Sequence, residues 1–268
     1  MSALFTLGGR VAVVTGAARG LGQAIALGLA RHGADVALAD LDAGALAETE
    51  ELVRASGRRA LAVATDVTDE EQVAELFART ERELGPLDAL VNSVFTPVLT
   101  RPQELTLEQW ERALRVNLTG YFLPARAAGR AMIARGQGGA IVNIASIAGT
   151  SALGRGNVAY SVSKGGVVQL TRELAVEWGR YGIRVNAIQP AQMRTPGFKA
   201  RFENPELEPD GLLEQMVEAI PLGRIGEPDD VVGPVVFLLS DAARMVNGVL
   251  LPVDGGNLAM NAGSRGND

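Results

Sequence analysis

Seven short runs of apolar and β-branched residues recur along the chain: "RVAVVTG", "ADVALAD", "ALAVATD", "DALVNS", "GAIVNIAS", "GIRVNAIQP" and "GVLLPVDGG". Within each run the hydrophobicity is nearly continuous rather than alternating. That pattern marks strands covered on both faces, as in a parallel sheet. The stretches between them follow a helical period. In "DEEQVAELFARTERELG" the apolar side chains fall at 73, 76, 77 and 84, and a glycine ends the run. Strand, helix, strand, repeated, predicts an α/β chain with a doubly wound sheet. No Pro/Ser-rich linker or internal repeat divides it, so residues 1–268 read as one domain.

Two segments interrupt the rhythm. Residues 94–105, "VFTPVLTRPQEL", follow the fourth strand, and residues 191–228, with five prolines, follow the sixth. Long loops at the C-terminal ends of parallel strands are where such sheets bind ligands, so 191–228 is expected to be a substrate lid. Residues 258–268 read as a C-terminal tail that frays in "NAGSRGND".

Composition narrows the functional classes. The formal net charge is −6 and no Lys/Arg-rich run appears. That argues against nucleic acid or an anionic membrane as partner. With no Cys and one His, zinc sites built on those residues and disulfides are excluded, and no metal is expected. The first residues show no signal-peptide pattern and no run is long enough to span a bilayer, so a cytoplasmic protein is expected.

After the first run comes "TGAARGLGQAIALGLA", with glycines at 16, 20 and 22 between a strand and an apolar helix. Glycine permits a tight turn and the close approach of backbone N–H groups to a pyrophosphate, and the helix N-terminus adds its positive dipole end. The dinucleotide fingerprint also requires a later acid. Asp40 supplies it, 18 residues beyond Gly22. A carboxylate there accepts both ribose hydroxyls and repels a 2′-phosphate, which favours NAD. Asp42 is better placed than Asp40 to cap the following helix. Arg19 leaves NADP open: its guanidinium pairs with a 2′-phosphate, pairs with Asp40, or stays solvated.

In "AYSVSKGG", Tyr160 and Lys164 stand at i,i+4, on one face of a helix. The chain has only two Lys against 23 Arg, so a Lys here suggests that a compact ammonium is wanted. At about 5 Å and an effective dielectric of about 20, an ammonium favours the phenolate by roughly 3 kcal/mol. The Tyr160 pKa is therefore expected below its ordinary value, making the phenol a general acid or base. His32, at the end of the first helix beside a glycine, reads as a helix-end residue. Ser146 ends the fifth strand, where its hydroxyl can meet a substrate oxygen or simply serve a turn. Asn117 lies inside a helical segment that it suits poorly, which suggests a local bend or a bound water.

The motif set "TGAARGLG", "DV" at 66–67, "LVN" at 90–92, Asn117, Ser146, "YSVSK", Asn186 with Pro190, and "VDGG" at 253–256 resembles the short-chain dehydrogenase/reductase family over about residues 8–257. The resemblance implies a seven-stranded Rossmann sheet. It implies Tyr160 as the proton-exchanging residue, Lys164 as the group that lowers its pKa and holds the nicotinamide ribose, Ser146 orienting the substrate oxygen, and Asn117 anchoring a water. For the dinucleotide it implies Gly16, Arg19, Gly20, Leu21 and Gly22 in the loop, Asp40 and Leu41 after the second strand, and Asp66 and Val67 at the adenine. Asn92 would line the adenosine side of the groove, with Tyr160 and Lys164 at the ribose. Pro190, Met193 and Thr195 would close on the nicotinamide. It also implies a homotetramer built on the helices holding 106–135 and 157–180 and on the C-terminal strand; in the sequence itself the apolar positions Val167, Val168 and Leu170 hint at a partner-facing surface.

The chain departs from the family pattern where Asn-Asn-Ala-Gly becomes Asn92-Ser93-Val94-Phe95, and where Pro-Gly becomes Pro190-Ala191. Phe95 is expected to narrow the pocket. Phe95, Arg155, Asn157, Gln192 and Arg194, with Gln189, are candidates to meet a hydroxylated or anionic substrate. The expected activity is NAD-dependent oxidation of a secondary alcohol in a sugar, sugar acid, polyol or cyclic alcohol. The alternatives are an NADP-dependent 3-oxoacyl-type carbonyl reductase and a non-catalytic dinucleotide-binding sensor. A methyltransferase also pairs a glycine loop with such an acid, but has no need of the Tyr–Lys spacing.

Overall fold

Each of the seven apolar runs forms a strand: β1 Val11–Thr15, β2 Asp35–Asp40, β3 Ala60–Ala64, β4 Ala89–Asn92, β5 Gly139–Ile144, β6 Ile183–Pro190 and β7 Leu250–Val253. A computed structural model describes residues 3–202 and 211–260 of the chain. All the strand pairings are parallel, in the order β3-β2-β1-β4-β5-β6-β7. The order reverses between β1 and β4, and a ligand crevice opens at such a switch point beyond the C-terminal strand ends.

The helices are α1 Gly20–Arg31, α2 Ala43–Ala55, α3 Glu70–Glu83, α4 Leu107–Leu114, α5 Gly120–Arg135, α6 Val158–Gly179, α7 Pro196–Phe202, α8 Leu212–Glu218 and α9 Val232–Leu239. They cover both faces of the sheet, which is why the strands are apolar throughout. Ala12 and Val14 of β1 pack with Ile25, Leu46 and Val235 on one face. Val11 and Val13 point the other way, toward Leu76, Ala128 and Leu174. Each large apolar side chain so buried contributes roughly 1.5–3 kcal/mol.

Local chemistry sets the helix starts. Asp42 caps α2 by accepting from Ala45 N, and Asp69 caps α3 by accepting from Glu71 N and Gln72 N. Thr106 and Gln109 form a capping box on α4. Between α4 and α5, residues Arg115–Thr119 form a π turn, so the bend expected at Asn117 is present.

The segment expected as a lid leaves β6 and returns through a bridge between Met193 and Gly226. Phe198, Met216, Ile220 and Ile225 give it a small apolar cluster of its own. Residues 203–210 of that segment, and the tail from 261 onward, lie outside the described residues. Among the described residues no helix is long and apolar enough to cross a membrane. Val167 and Val168 correct the expectation of a partner-facing surface. Both are buried in this chain's own core with Tyr121, Ala145 and Ala187, because α6 turns that face onto the sheet.

Candidate active site

The C-terminal end of β1 runs into the glycine loop and α1. Gly16 needs its freedom: φ is +67°, and an added Cβ would lie 2.8 Å from the Ser93 carbonyl oxygen. A Cβ on Gly22 would lie 2.0 Å from the Gly16 oxygen, so the first turn of α1 closes directly on the loop. Gly22→Ala is therefore expected to cost about 1–3 kcal/mol in thermal unfolding, through overpacking of backbone. It should also weaken NADH binding in a fluorescence titration, by displacing the loop.

Asp40, half-buried at the end of β2, accepts from Ala18 N at 3.1 Å and from Asp42 N at 3.1 Å. Its carboxylate is thus held at the rim of the loop. Arg19 does not meet Asp40; its guanidinium pairs with Asp42. Asp42 consequently both caps α2 and holds Arg19. Leu21 packs against the core beneath the loop, and Leu41 is exposed beside Asp40. Asp66 Oδ1 accepts from Thr68 N and Thr68 Oγ1 at 2.8 Å, which fixes the turn after β3 and buries Val67. Asn92 corrects an expectation. It is fully buried, its amide donating to Asn143 Oδ1 at 3.0 Å, so its side chain is turned into the molecule and does not line the groove.

Beyond β5, Ser146 is 7% exposed and accepts from Ala148 N at 3.1 Å. Tyr160 and Lys164 both lie on α6, one turn apart. Ser146 acts on the Tyr160 phenol to favour its ionised form, and the edge of the Phe95 ring meets Tyr160 with centroids 6.4 Å apart. Lys164 is 2% exposed and donates to Tyr121 Oη and to the Ile144 carbonyl, both at 2.8 Å. Its Nζ lies 5.9 Å from the Tyr160 ring centroid.

This arrangement corrects the expected acidity. Burial pushes the Tyr160 phenol above its ordinary value, opposed by the Ser146 side chain. Burial also pulls the Lys164 ammonium down to about 7. A fully charged ammonium would favour the phenolate, but inside the protein desolvation works against the charge on both groups.

Asn117 is fully buried, and both ends of its amide are taken: Oδ1 accepts from Thr96 N at 2.7 Å, and Nδ2 donates to Thr96 O at 3.0 Å. Its side chain therefore holds the loop that carries Phe95. Phe95 itself is 60% exposed over Tyr160. Arg155 has φ +57°, the only non-glycine residue in the left-handed region among the described residues. It lines a cavity of about 850 Å³ with Leu99, Thr100, Arg101 and Glu104. Asn157 is turned back on its own loop, donating to Gly154 O at 2.7 Å.

Gln189 is 2% exposed and donates to Ser146 O at 3.1 Å and Thr150 Oγ1 at 3.0 Å. It supports the Ser146 loop and does not face a substrate. Pro190 ends β6, and Met193 is buried against Gly226. Arg194 lies near Glu227 at 3.4 Å. Thr195 accepts from Phe198 N at 3.3 Å, and its methyl group faces Gly20 across the cleft. Sequence reasoning passed over Tyr121. Its spacing from Asn117, again i,i+4 in "NLTGY", was the available signal.

The cleft suits a nicotinamide dinucleotide. No side chain caps α1, whose first N–H groups face the loop. Gly16 and Gly22 form a cradle that a Cβ would fill, and Asp40 stands beside it. Across the cleft, Gln192 carries a buried Oε1 without a hydrogen-bond partner, a ready acceptor for an amide.

A family model described as enoyl-(acyl carrier protein) reductase matches residues 16–257. The chain is 43% identical over 254 residues to the D-threitol dehydrogenase of Mycolicibacterium smegmatis, covering 94% of each chain. It is 43% identical over 253 residues to the cis-4-hydroxycyclohexanecarboxylate dehydrogenase of Sinomonas cyclohexanicum, covering 94% of this chain and 97% of the relative. The solved gluconate 5-dehydrogenase of Burkholderia cenocepacia J2315, in complex with NADP and tartrate, superposes with a TM-score of 0.89 at 33% identity, over 97% of this chain and 99% of that one. The chain belongs to the short-chain dehydrogenase/reductase family, and is an oxidoreductase of that family.

Proposed function

We propose that the protein is an NAD-dependent dehydrogenase that oxidises a secondary alcohol of a polyol, sugar acid or hydroxylated ring. The observation that carries the reading is the convergence of Ser146, Tyr160 and Lys164 at the C-terminal end of β5, beside the glycine loop. A nicotinamide dinucleotide held by the glycine loop and Asp40 would supply the acceptor for the hydride of the carbinol carbon. Ser146 holds the alcohol oxygen. Tyr160 takes the hydroxyl proton as the carbonyl forms, with Lys164 one turn along α6 beside it. Phe95 meets Tyr160 edge-on as an apolar wall of the site, while Arg155 offers a positive charge at the rim of a cavity. The relatives named for a neutral polyol and for a hydroxylated ring acid support this substrate range.

The choice of NAD rests on Asp40, whose carboxylate stands free of Arg19 and available to a ribose diol. A second reading, acceptance of NADP, is favoured by Arg19: it is 62% exposed at the start of α1 and can exchange Asp42 for a 2′-phosphate. Initial rates with NAD and NADP over polyols, sugar acids and cyclic alcohols test both. NAD is expected to give the higher kcat/KM. Asp40→Ala should lower kcat/KM for NAD about 10–100-fold, the loss of hydrogen bonds to a charged group, while sparing NADP. Higher kcat/KM with NADP in the native protein would overturn the preference.

A further inference from the structure

We propose that Tyr121 is a positioning residue of the proton site, its hydroxyl fixing Lys164 and tying it to the loop that carries Phe95. The proposal rests on the reading of Lys164 as part of that site. Tyr121 is fully buried on α5, and its Oη lies 2.8 Å from Ile144 O and 3.0 Å from Val94 O. Burial raises its pKa well above the ordinary phenol value, so it keeps its proton. Its single proton is shared by, or alternates between, the two carbonyls, and an oxygen lone pair is left to accept from Lys164 Nζ at 2.8 Å. One hydroxyl thus joins three elements: the loop after β4, the end of β5, and α6.

The consequence follows from the geometry of an ammonium. Lys164 has three N–H donors, and Tyr121 and Ile144 take two of them. Fixing two directions fixes the third, the one left for the cleft. The flexible four-carbon stem of a lysine would otherwise leave that donor free to swing. The same hydroxyl holds Val94, while Asn117 holds Thr96 on the other side, so Phe95 is pinned from both flanks above Tyr160. Among the described residues, the titratable groups facing Lys164 are Tyr121 on α5 and Tyr160 on its own helix. Among the described residues no carboxylate pairs with it, and the Tyr121 hydroxyl is its side-chain hydrogen-bond partner.

Tyr121→Phe tests this, because it keeps the ring that lies 4.4 Å beneath Nζ and removes only the hydroxyl. The chain contains just two lysines, so labelling lysine with ¹⁵N gives two side-chain signals, and Lys164 is followed directly by NMR against pH. In the unliganded variant its titration midpoint is expected to fall by roughly one pH unit, since a hydrogen bond to the charged form is lost. Turnover should drop about tenfold in kcat with KM for the alcohol nearly unchanged, and the alkaline limb of the rate profile should move to lower pH with the lysine. In a Lys164→Met background the hydroxyl has no ammonium to hold, so Tyr121→Phe should leave the pH dependence of thermal stability unaltered. An unchanged lysine midpoint, or an equal pH-dependent effect in the Met background, overturns the proposal. The lysine titration needs neither substrate nor dinucleotide, so it is independent of whether alcohol oxidation is the right reaction.

Discussion

Tyr160→Phe is expected to lower kcat by about 10²–10⁴-fold while the protein keeps its fold and its affinity for NADH. In the proposed reaction the phenol hydroxyl passes the proton between the substrate oxygen and the rest of the site. The only histidine is at the far end of α1, bonded through Nδ1 to Gly28 O at 2.8 Å. Removing the hydroxyl takes away one polar atom beside Ser146 but leaves the ring and its edge contact with Phe95. Stability should therefore move by less than about 1.5 kcal/mol. Steady-state kinetics beside an NADH titration separate the effects. A variant that retains more than about a tenth of native kcat sinks the role given to Tyr160.

Lys164→Met should abolish turnover to a similar degree and, unlike most core substitutions, stabilise the unliganded protein near neutral pH. The reason is linkage. Burial lowers the Lys164 pKa from 10.5 in the unfolded chain to about 7 in the folded one. Below pH 7 both states are protonated, and the full cost of burying the charge is present. Between about 7 and 10.5 the unfolded chain holds a proton that the folded chain has lost, so stability rises with pH; above 10.5 the cost is gone. Replacing the ammonium by an apolar side chain of similar length is expected to stabilise by about 1–4 kcal/mol at pH 6, some 2–10 °C in Tm for a domain of this size. The native curve should climb toward the variant's as pH increases. Parallel Tm curves across pH 6–9 would show that Lys164 is not titrating in the folded protein.

Much of this architecture is legible in the amino-acid order. The seven apolar runs become the seven strands of one parallel sheet, because a strand covered on both faces must be apolar on both. The starts of α2, α3 and α4 follow from Asp42, Asp69 and Thr106, whose caps act within three residues. The Tyr160–Lys164 pair and the glycine loop are visible for the same reason: each is a local motif, and helix or turn geometry alone brings its members together.

What joins these motifs is decided by packing. Tyr121 reaches Lys164 across 43 positions, Gln189 reaches Ser146 across 43, and Arg19 reaches Asp42 across 23. Asn117 meets Thr96 only because the π turn swings it toward the loop after β4. No period in the sequence encodes such distances. The charge states follow the same division. Residue type and spacing place a phenol beside an ammonium, and from that alone the phenol should be the more acidic. The tertiary structure instead buries Lys164, half-buries Tyr160 and hands the ammonium to Tyr121, so the water that would have stabilised either charge is largely removed.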